Sequence, residues 1–270
     1  DTVPEAVAVL DPKKPGCPYP FKELSGCGIG FKLAQALAAV WQWPEEKLTV
    51  LLDLLVVSIA ADIVPITGEN RILASLGLKK LNDSPRQGLK SLLESSQMKK
   101  ELTISDIVFI IGPRINAASR MDSPEDAFAL LTETDEAKAA AVVDHLEHLN
   151  NERKGQVAAM SRELHKRLDG LADLPAVLVF GHPAWRPALV GLAANKLAET
   201  YKRPAFVWGR DGNGVIKGSC RSEGETSVLA LMEAAAEHFL EHGGHHFSGG
   251  FSVSDQAIHH LPQALTEAHQ

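Results

Sequence analysis

The sequence predicts an α/β protein in two unequal parts, on three observations. The run "TDEAKAAAVVDHLEHLNNERKGQVAAMSRELHKRLDGL" exceeds thirty residues, contains no proline and is rich in strong helix formers. A helix of that length packs on one core over only part of its course, so it usually bridges domains. Beyond "ADLP", short β-branched and aromatic runs alternate with helical ones: "AVLVFG", "RPALVGLAANKLAETY", "PAFVWGRDG", "GVIKGSCR", "SVLALMEAAAEHFLEH" and "FSGGFSVS". That alternation predicts a small α/β domain. Ahead of the long helix, amphipathic segments dominate.

Element by element, "EAVAVLDP" is expected to be a short strand running into a turn. "GIGFKLAQALAAVW" follows as a helix behind a glycine-rich entry. "KLTVLLDLLVVSIAADIVPIT" is too apolar for a surface element and reads as a buried helix, a buried strand or one feeding the other. "ENRILASLGLKKLND" and "PRQGLKSLLESSQ" are amphipathic helices. In "TISDIVFIIGPRINAASR" a helix starts near Ser105 and stops at Gly112-Pro113, and a loop follows. "SPEDAFALL" carries a Ser cap with Pro at the first helical position. The expected division is 1–122, connecting helices over 123–172, and 173–270.

Composition sets bounds. The chain has 270 residues, 45% hydrophobic and 23% charged, as in ordinary globular proteins. No apolar run reaches the roughly 20 residues that span a bilayer, and no secretory signal is visible at the start. Three cysteines without CxxC spacing argue against a disulfide framework or a structural zinc. A cytoplasmic location is expected. The net charge of −7 removes any global attraction to nucleic acid, although a locally basic cleft can work inside an acidic protein.

Four stretches can carry chemistry. Asp62 stands among apolar residues in "SIAADIVPITGEN", as a metal ligand or as a helix-end cap. Arg114, Asn116, Ser119 and Arg120 follow Gly112-Pro113; paired guanidinium groups suit phosphate, and surface salt bridging is the plain alternative. Ser219, Arg221 and Ser222 occupy what reads as a glycine-flanked turn, or an ordinary strand end. In "HGGHHFSGGF", Gly243 and Gly244 can present backbone N–H groups to an anion as a nest, with His245 or His246 donating beside them. The rival readings there are zinc, for which no ligands stand at the usual spacing, and a structural turn. "GCGIG" lacks the full dinucleotide-loop spacing, and His145 and His148 on the long helix do not form H-E-x-x-H, so both are set aside.

"CPYPFKELSGCGIGFKLAQAL", "IAADIVPITGENRIL", "GPRINAASRM", "LNNERK", "KGSCRS" and "GGHHFSGGFSV" occur in one order. Together they resemble the bacterial RecJ family, single-strand-specific DNA exonucleases of the DHH phosphoesterase superfamily, over essentially the whole chain. The resemblance implies the C-terminal part of a DHH catalytic domain joined by a long helix to a smaller α/β DHHA1 domain. It implies hydrolysis of single-stranded DNA from the 5′ end with two Mn²⁺ or Mg²⁺ ions, in DNA repair and recombination, with a helicase or single-strand-binding protein as partner and no membrane. Asp62 falls on the fourth-motif metal ligand and Arg114, Asn116 and Arg120 on the loop facing the catalytic cleft. Arg221, Ser222 and His245 fall on DHHA1 positions that hold substrate phosphate, with Ser219, Gly243 and Gly244 beside them.

The departures from the family pattern bear on activity. The Asp-x-Asp and Asp-His-His motifs that supply most metal ligands belong ahead of "PEAVAVLDPKK", and no "DHH" or "DxD" occurs in these residues. The expectation is a chain inactive alone, whose first domain has an apolar sheet edge for an upstream half to cover. The family's usual oligonucleotide-binding fold is expected to be missing or not represented in these residues. Ser119 and Cys220 stand where glycine is usual, and Arg186 and Ala188 replace residues of "WHxGVxG". The competing readings are a non-catalytic single-strand-binding module and a phosphodiesterase acting on short oligonucleotides or cyclic dinucleotides.

Overall fold

The computed structural model describes residues 3–98 and 101–269. The chain divides into two compact units, residues 1–150 and 151–270.

In the first unit every regular element among the described residues is helical: α1 (Gly26–Trp41), α2 (Glu46–Thr49), α3 (Leu52–Ala61), α4 (Gly68–Asp83), α5 (Gln87–Ser95), α6 (Ile104–Asp106), α7 (Gly112–Met121), α8 (Pro124–Thr132) and the first part of α9 (Glu136–Asp169). α3 is the buried helix that its composition allows. Leu55, Val56, Val57, Ile59 and Ala60 are all in the core, and α1, α4 and α7 lie against it. Gly77 of α4 permits the closest of these approaches: a Cβ there would stand 2.4 Å from the Leu52 carbonyl oxygen.

One charged residue sits on α3's buried surface. Asp53 is 1% exposed and receives both arms of Arg86, Nε to Oδ2 at 2.9 Å and Nη2 to Oδ1 at 2.8 Å. The same guanidinium donates to the Leu131 carbonyl at 2.7 Å and to the Val50 carbonyl at 3.1 Å. One side chain therefore joins α3, the start of α5 and the end of α8.

Three expectations for this unit are corrected. "EAVAVLDP" forms no strand, because a short β-prone run supplies no pairing partner of its own. Val9 and Leu10 instead line an apolar cavity of about 500 Å³ with Ile29, Leu33 and Ala36 of α1. With no strand among the described residues of this unit, there is no sheet edge to cover. Third, the helix does not stop at Gly112-Pro113. It passes through a π-helical turn, Ile107–Ile111, in which the Gly112 N–H reaches back to the Ile107 carbonyl. That wider turn makes room for a proline ring which would clash with the carbonyl of an ordinary α-turn.

The second unit opens on the rest of α9. It continues with β1 (Leu178–Gly181), α10 (Pro187–Tyr201), β2 (Ala205–Arg210), β3 (Ile216–Arg221), α11 (Val228–Ala234), β4 (Glu241–His245), β5 (Ser248–Val253) and α12 (Leu261–Ala268). The sheet order is β1-β2-β3-β5-β4, parallel between β1 and β2 and antiparallel elsewhere. Phe206, Ile216, Cys220, Phe251 and Val253 form one core with Val228, Leu231 and Met232 of α11 and Leu261 and Leu265 of α12. α10 lies against β2 and β3.

Replacing Arg86 with Ala leaves Asp53 charged, buried and unpaired, at an expected cost of about 3–5 kcal/mol. Urea unfolding of R86A against the parent chain measures this, and a loss below about 1 kcal/mol would remove the pair's structural role.

Candidate nucleic-acid interface

In the second unit the candidate residues lie on paired strands. The register places Arg221 of β3, Ser248 of β5 and His245 of β4 in one row, and Ser219, Gly250 and Gly243 in the row two residues away. Directly opposed residues in an antiparallel sheet share a face, as do residues two apart. These two rows therefore line one surface. The intervening row, Cys220, Gly249 and Gly244, faces the other way, where Cys220 joins the core, Gly249 is half-buried beside it and Gly244 on the outer strand is exposed.

The glycines thus have two separate jobs. A Cβ on Gly243 would meet no described atom within 4 Å, and one on Gly250 only the Gly218 carbonyl oxygen at 3.8 Å. They leave a bare polar shelf beside Ser219. On the core side the fit is close: a Cβ on Gly249 would stand 2.6 Å from Met232 Cε, and one on Gly244 2.3 Å from the Ser248 oxygen. The expected nest is corrected accordingly. Gly243 and Gly244 belong to β4, and their backbones pair with Gly250 and Gly249. Ser219 and Arg221 likewise belong to β3 rather than to a turn.

α10 meets this surface at Gly191, where a Cβ would lie 3.3 Å from both Arg221 Nη2 and Ser219 Oγ. The absent side chain lets the guanidinium and the hydroxyl come together beside the helix. Arg221 also donates Nη1 to the Cys220 carbonyl at 2.7 Å. Ser222 has a different task. Its hydroxyl donates to the Thr226 carbonyl at 2.6 Å, and its N–H bonds the Phe247 carbonyl at 3.0 Å, tying the 222–228 segment to the hairpin turn His246-Phe247. His245 is exposed at the end of β4.

In the first unit, Asp62 follows the last residue of α3 and is exposed. Ser58 Oγ donates to its Oδ2 at 3.0 Å and lies 3.1 Å from Ser25 Oγ, which itself accepts the Gly28 N–H and caps α1. A line of hydroxyls so connects the carboxylate to a helix N-terminus, where negative charge is favoured. Cys27 stands beside it. Although the residue reaches the surface, packing around its thiol and then the Asp62 charge raise its pKa, while a Ser58 hydrogen bond lowers it. The next residue, Ile63, takes φ +54°, a costly region for a β-branched side chain, as the chain turns away from α3.

Arg114, Asn116, Ser119 and Arg120 sit on α7, not in a loop. Arg114 donates Nε to Glu147 at 2.5 Å and Nη1 to the Ile110 carbonyl at 2.8 Å, so its guanidinium is engaged within the unit. Asn116 is exposed and Arg120 half-buried, four residues apart on one helix face. The structure brings Ser219, Arg221 and His245 onto one surface and leaves Asp62 as a lone carboxylate. Among the described residues no group of three metal-ligating side chains includes Asp62. One ligand does not fit a two-metal centre.

Sequence reading missed Gly191, Ser248, Gly250, Ser25 and Ser58. A glycine inside the helical run "ALVGLAAN" was the signal for Gly191, since such a residue often marks a close approach, and Ser248 and Gly250 lie within "HGGHHFSGGF" itself.

Residues 174–270 match the DHHA1 domain family. Across 98% of the chain, 34% of residues are identical to the single-stranded-DNA-specific exonuclease RecJ of Bacillus subtilis. The chain is RecJ-like. It is 32% identical over 99% of its length to the protein of the same name from Escherichia coli. Among solved structures, RecJ from Thermus thermophilus in complex with Mg²⁺ superposes with a TM-score of 0.83 at 30% identity, covering 93% of this chain and 39% of that one. An exonuclease RecJ bound to manganese gives 0.78 at 29%, covering 100% of this chain and 66% of that one. The RecJ-like chain spans a third of the Bacillus relative and half of the Escherichia one. The α/β class with a DHHA1 unit is thereby established.

Burial pushes the Cys220 thiol up to about 12. A thiol raised in the folded state favours folding fully below its ordinary value near 9, and that contribution is lost as pH rises towards 12. Stability of the RecJ-like chain should fall more steeply over pH 9–12 than that of C220A, as followed by urea unfolding. Equal slopes would place Cys220 in a wetter setting. Separately, Gly244→Ala, with its Cβ against the Ser248 oxygen, should lower stability by about 1–3 kcal/mol, whereas Gly243→Ala should be nearly neutral.

Proposed function

We propose that this chain is the strand-holding part of a metal-dependent, single-strand-specific DNA exonuclease, with backbone phosphate seated on the shelf of the second unit. The shelf itself carries the reading: Arg221, Ser248 and His245 stand in one row, with Gly243 and Gly250 leaving the adjoining row bare. Arg221 supplies the charge, because a guanidinium matches phosphate oxygens in geometry as well as in sign. Ser219 and His245 supply further donors, and the glycines let a sugar-phosphate backbone approach the sheet. Ser222 acts indirectly, by holding the hairpin turn that ends β4. RecJ relatives named as single-stranded-DNA-specific exonucleases support the substrate class.

In the first unit we assign Asn116 and Arg120 to strand contact. Arg114 is a positioning residue that ties α7 to Glu147. Asp62 is one carboxylate ligand for a divalent cation of the kind bound in the Mg²⁺ and Mn²⁺ RecJ structures. A cation held there with further ligands would supply water activation and stabilise charge on phosphoryl oxygens. What this chain contributes there is a carboxylate oriented by Ser58 and backed by the capped end of α1. Repair and recombination are the processes in which single-strand digestion of this kind serves, with a helicase or single-strand-binding protein as partner. Among the described residues no helix is long and apolar enough to cross a membrane.

The solitary position of Asp62 favours a second reading for the chain by itself, namely binding without cleavage. The 270-residue protein should retain 5′-labelled single strands better than duplex and leave them intact with or without Mn²⁺. R221A should weaken single-strand binding uniformly across sequences and make the dependence of log K on log salt shallower by about 0.7, the loss of one phosphate contact. An unchanged salt slope in a normally folded R221A would take phosphate off the shelf. Mn²⁺-dependent degradation that D62A abolishes would instead show a working catalytic centre and displace the binding-only reading.

A further inference from the structure

Away from Asp62, three side chains from three elements converge in the first unit. Asp122 follows α7, Asp126 lies in the first turn of α8, and His145 comes from α9. Their ligand atoms all lie within 4.8 Å of one another. His145 Nε2 and Asp126 Oδ2 are 3.2 Å apart, close to the ~3.3 Å that separates two ligands of a tetrahedral ion with bonds near 2.0–2.1 Å. We propose that these residues form a divalent transition-metal site, selective for zinc over manganese and for both over magnesium, which fastens the α7–α8 corner to α9. The proposal is independent of the phosphate shelf and of Asp62.

The donor set argues for the metal class. Two carboxylates held this close repel one another, and a cation removes that repulsion. An imidazole in the set disfavours magnesium and calcium, which take oxygen ligands, and suits zinc, copper, iron or nickel. Between zinc and manganese, the general order of affinities places zinc higher. All three side chains reach solvent, so water completes the coordination, and small rotamer changes close the remaining gap. The backbone at Asp122 is pinned by its N–H bond to the Ala118 carbonyl at 2.8 Å, and Ser123 is engaged in capping α8. The plain alternative is an Asp126–His145 ion pair on the surface, which has no use for Asp122.

Calorimetric titration of the chelator-treated 270-residue protein with zinc, manganese and magnesium chlorides tests this. The chain has eleven histidines, so the comparison between variants decides rather than the total zinc bound. The expected result is a zinc site at least tenfold tighter than for manganese, no saturable magnesium binding, and at least tenfold weaker zinc binding in both H145A and D122N. D62N should keep the site. Zinc should also raise the melting temperature of the parent chain but not of H145A, whose metal-free melting temperature should match the parent's. Zinc affinity within tenfold of the parent chain's in either variant overturns the proposal, as does magnesium binding as tight as zinc.

Discussion

A β-sheet offers each strand two faces, and residues along it must alternate between them. In the second unit this alternation separates the site from the core at single-residue resolution. Arg221 and Ser219 point to one side, and Cys220 between them points to the other, against Met232. The same rule divides the glycines of β4 and β5 into a row that packs and a row that stays bare. A shift of register by one residue would bury Arg221 and expose Cys220, so the site and the core stand or fall together. Phe206, Phe251 and the α11–α12 side chains hold that register by filling the core face.

In the first unit the corresponding constraint is a carboxylate inside an apolar helix. α3 is buried almost all round, and Asp53 would be untenable there without Arg86. The guanidinium also satisfies two carbonyls, so the pair orients three helices while neutralising the buried charge. With α3 held in this way, its C-terminal end presents Asp62 at the surface beside the capped start of α1. Burial at one end of the helix and exposure at the other put its two aspartates in opposite settings.

Legibility followed the range of the interactions. The long helix α9, the strands β1, β2, β3 and β5, the helix α10 and the buried character of α3 could be read from periodicity, because those patterns are local. The helix expected over "SVLALMEAAAEHFLEH" ends at Ala234, and β4 (Glu241–His245), without any apolar period, could not be read as a strand. The strand expected at "EAVAVLDP" failed for the opposite reason: a strand needs a partner, and a short run of Val and Ala cannot supply one. Gly112-Pro113 reads locally as a helix stop, yet a π-turn carries the helix through, sustained by the burial of Ile107 and Ile111. "HGGHHFSGGF" marks a place where backbone approaches something. Pairing of β4 with β5 decides that for Gly244 the something is the neighbouring strand, while Gly243 lies open.

By itself the sequence determined which chemistry was available: guanidinium, imidazole and hydroxyl groups on a glycine-rich stretch, one isolated carboxylate at Asp62, and a long helix between two unlike regions. Its motif order also carried the resemblance to RecJ. Tertiary structure decided which of those groups meet. Arg221 and His245 are 24 residues apart in sequence, yet in the same row of the sheet with only β5 between them; His145 reaches Asp126 across two helices; and Arg114, an obvious phosphate ligand on paper, is spent on Glu147. Side-chain chemistry is local to the residue. Convergence depends on register and packing between segments distant in the chain, which a one-dimensional pattern does not encode.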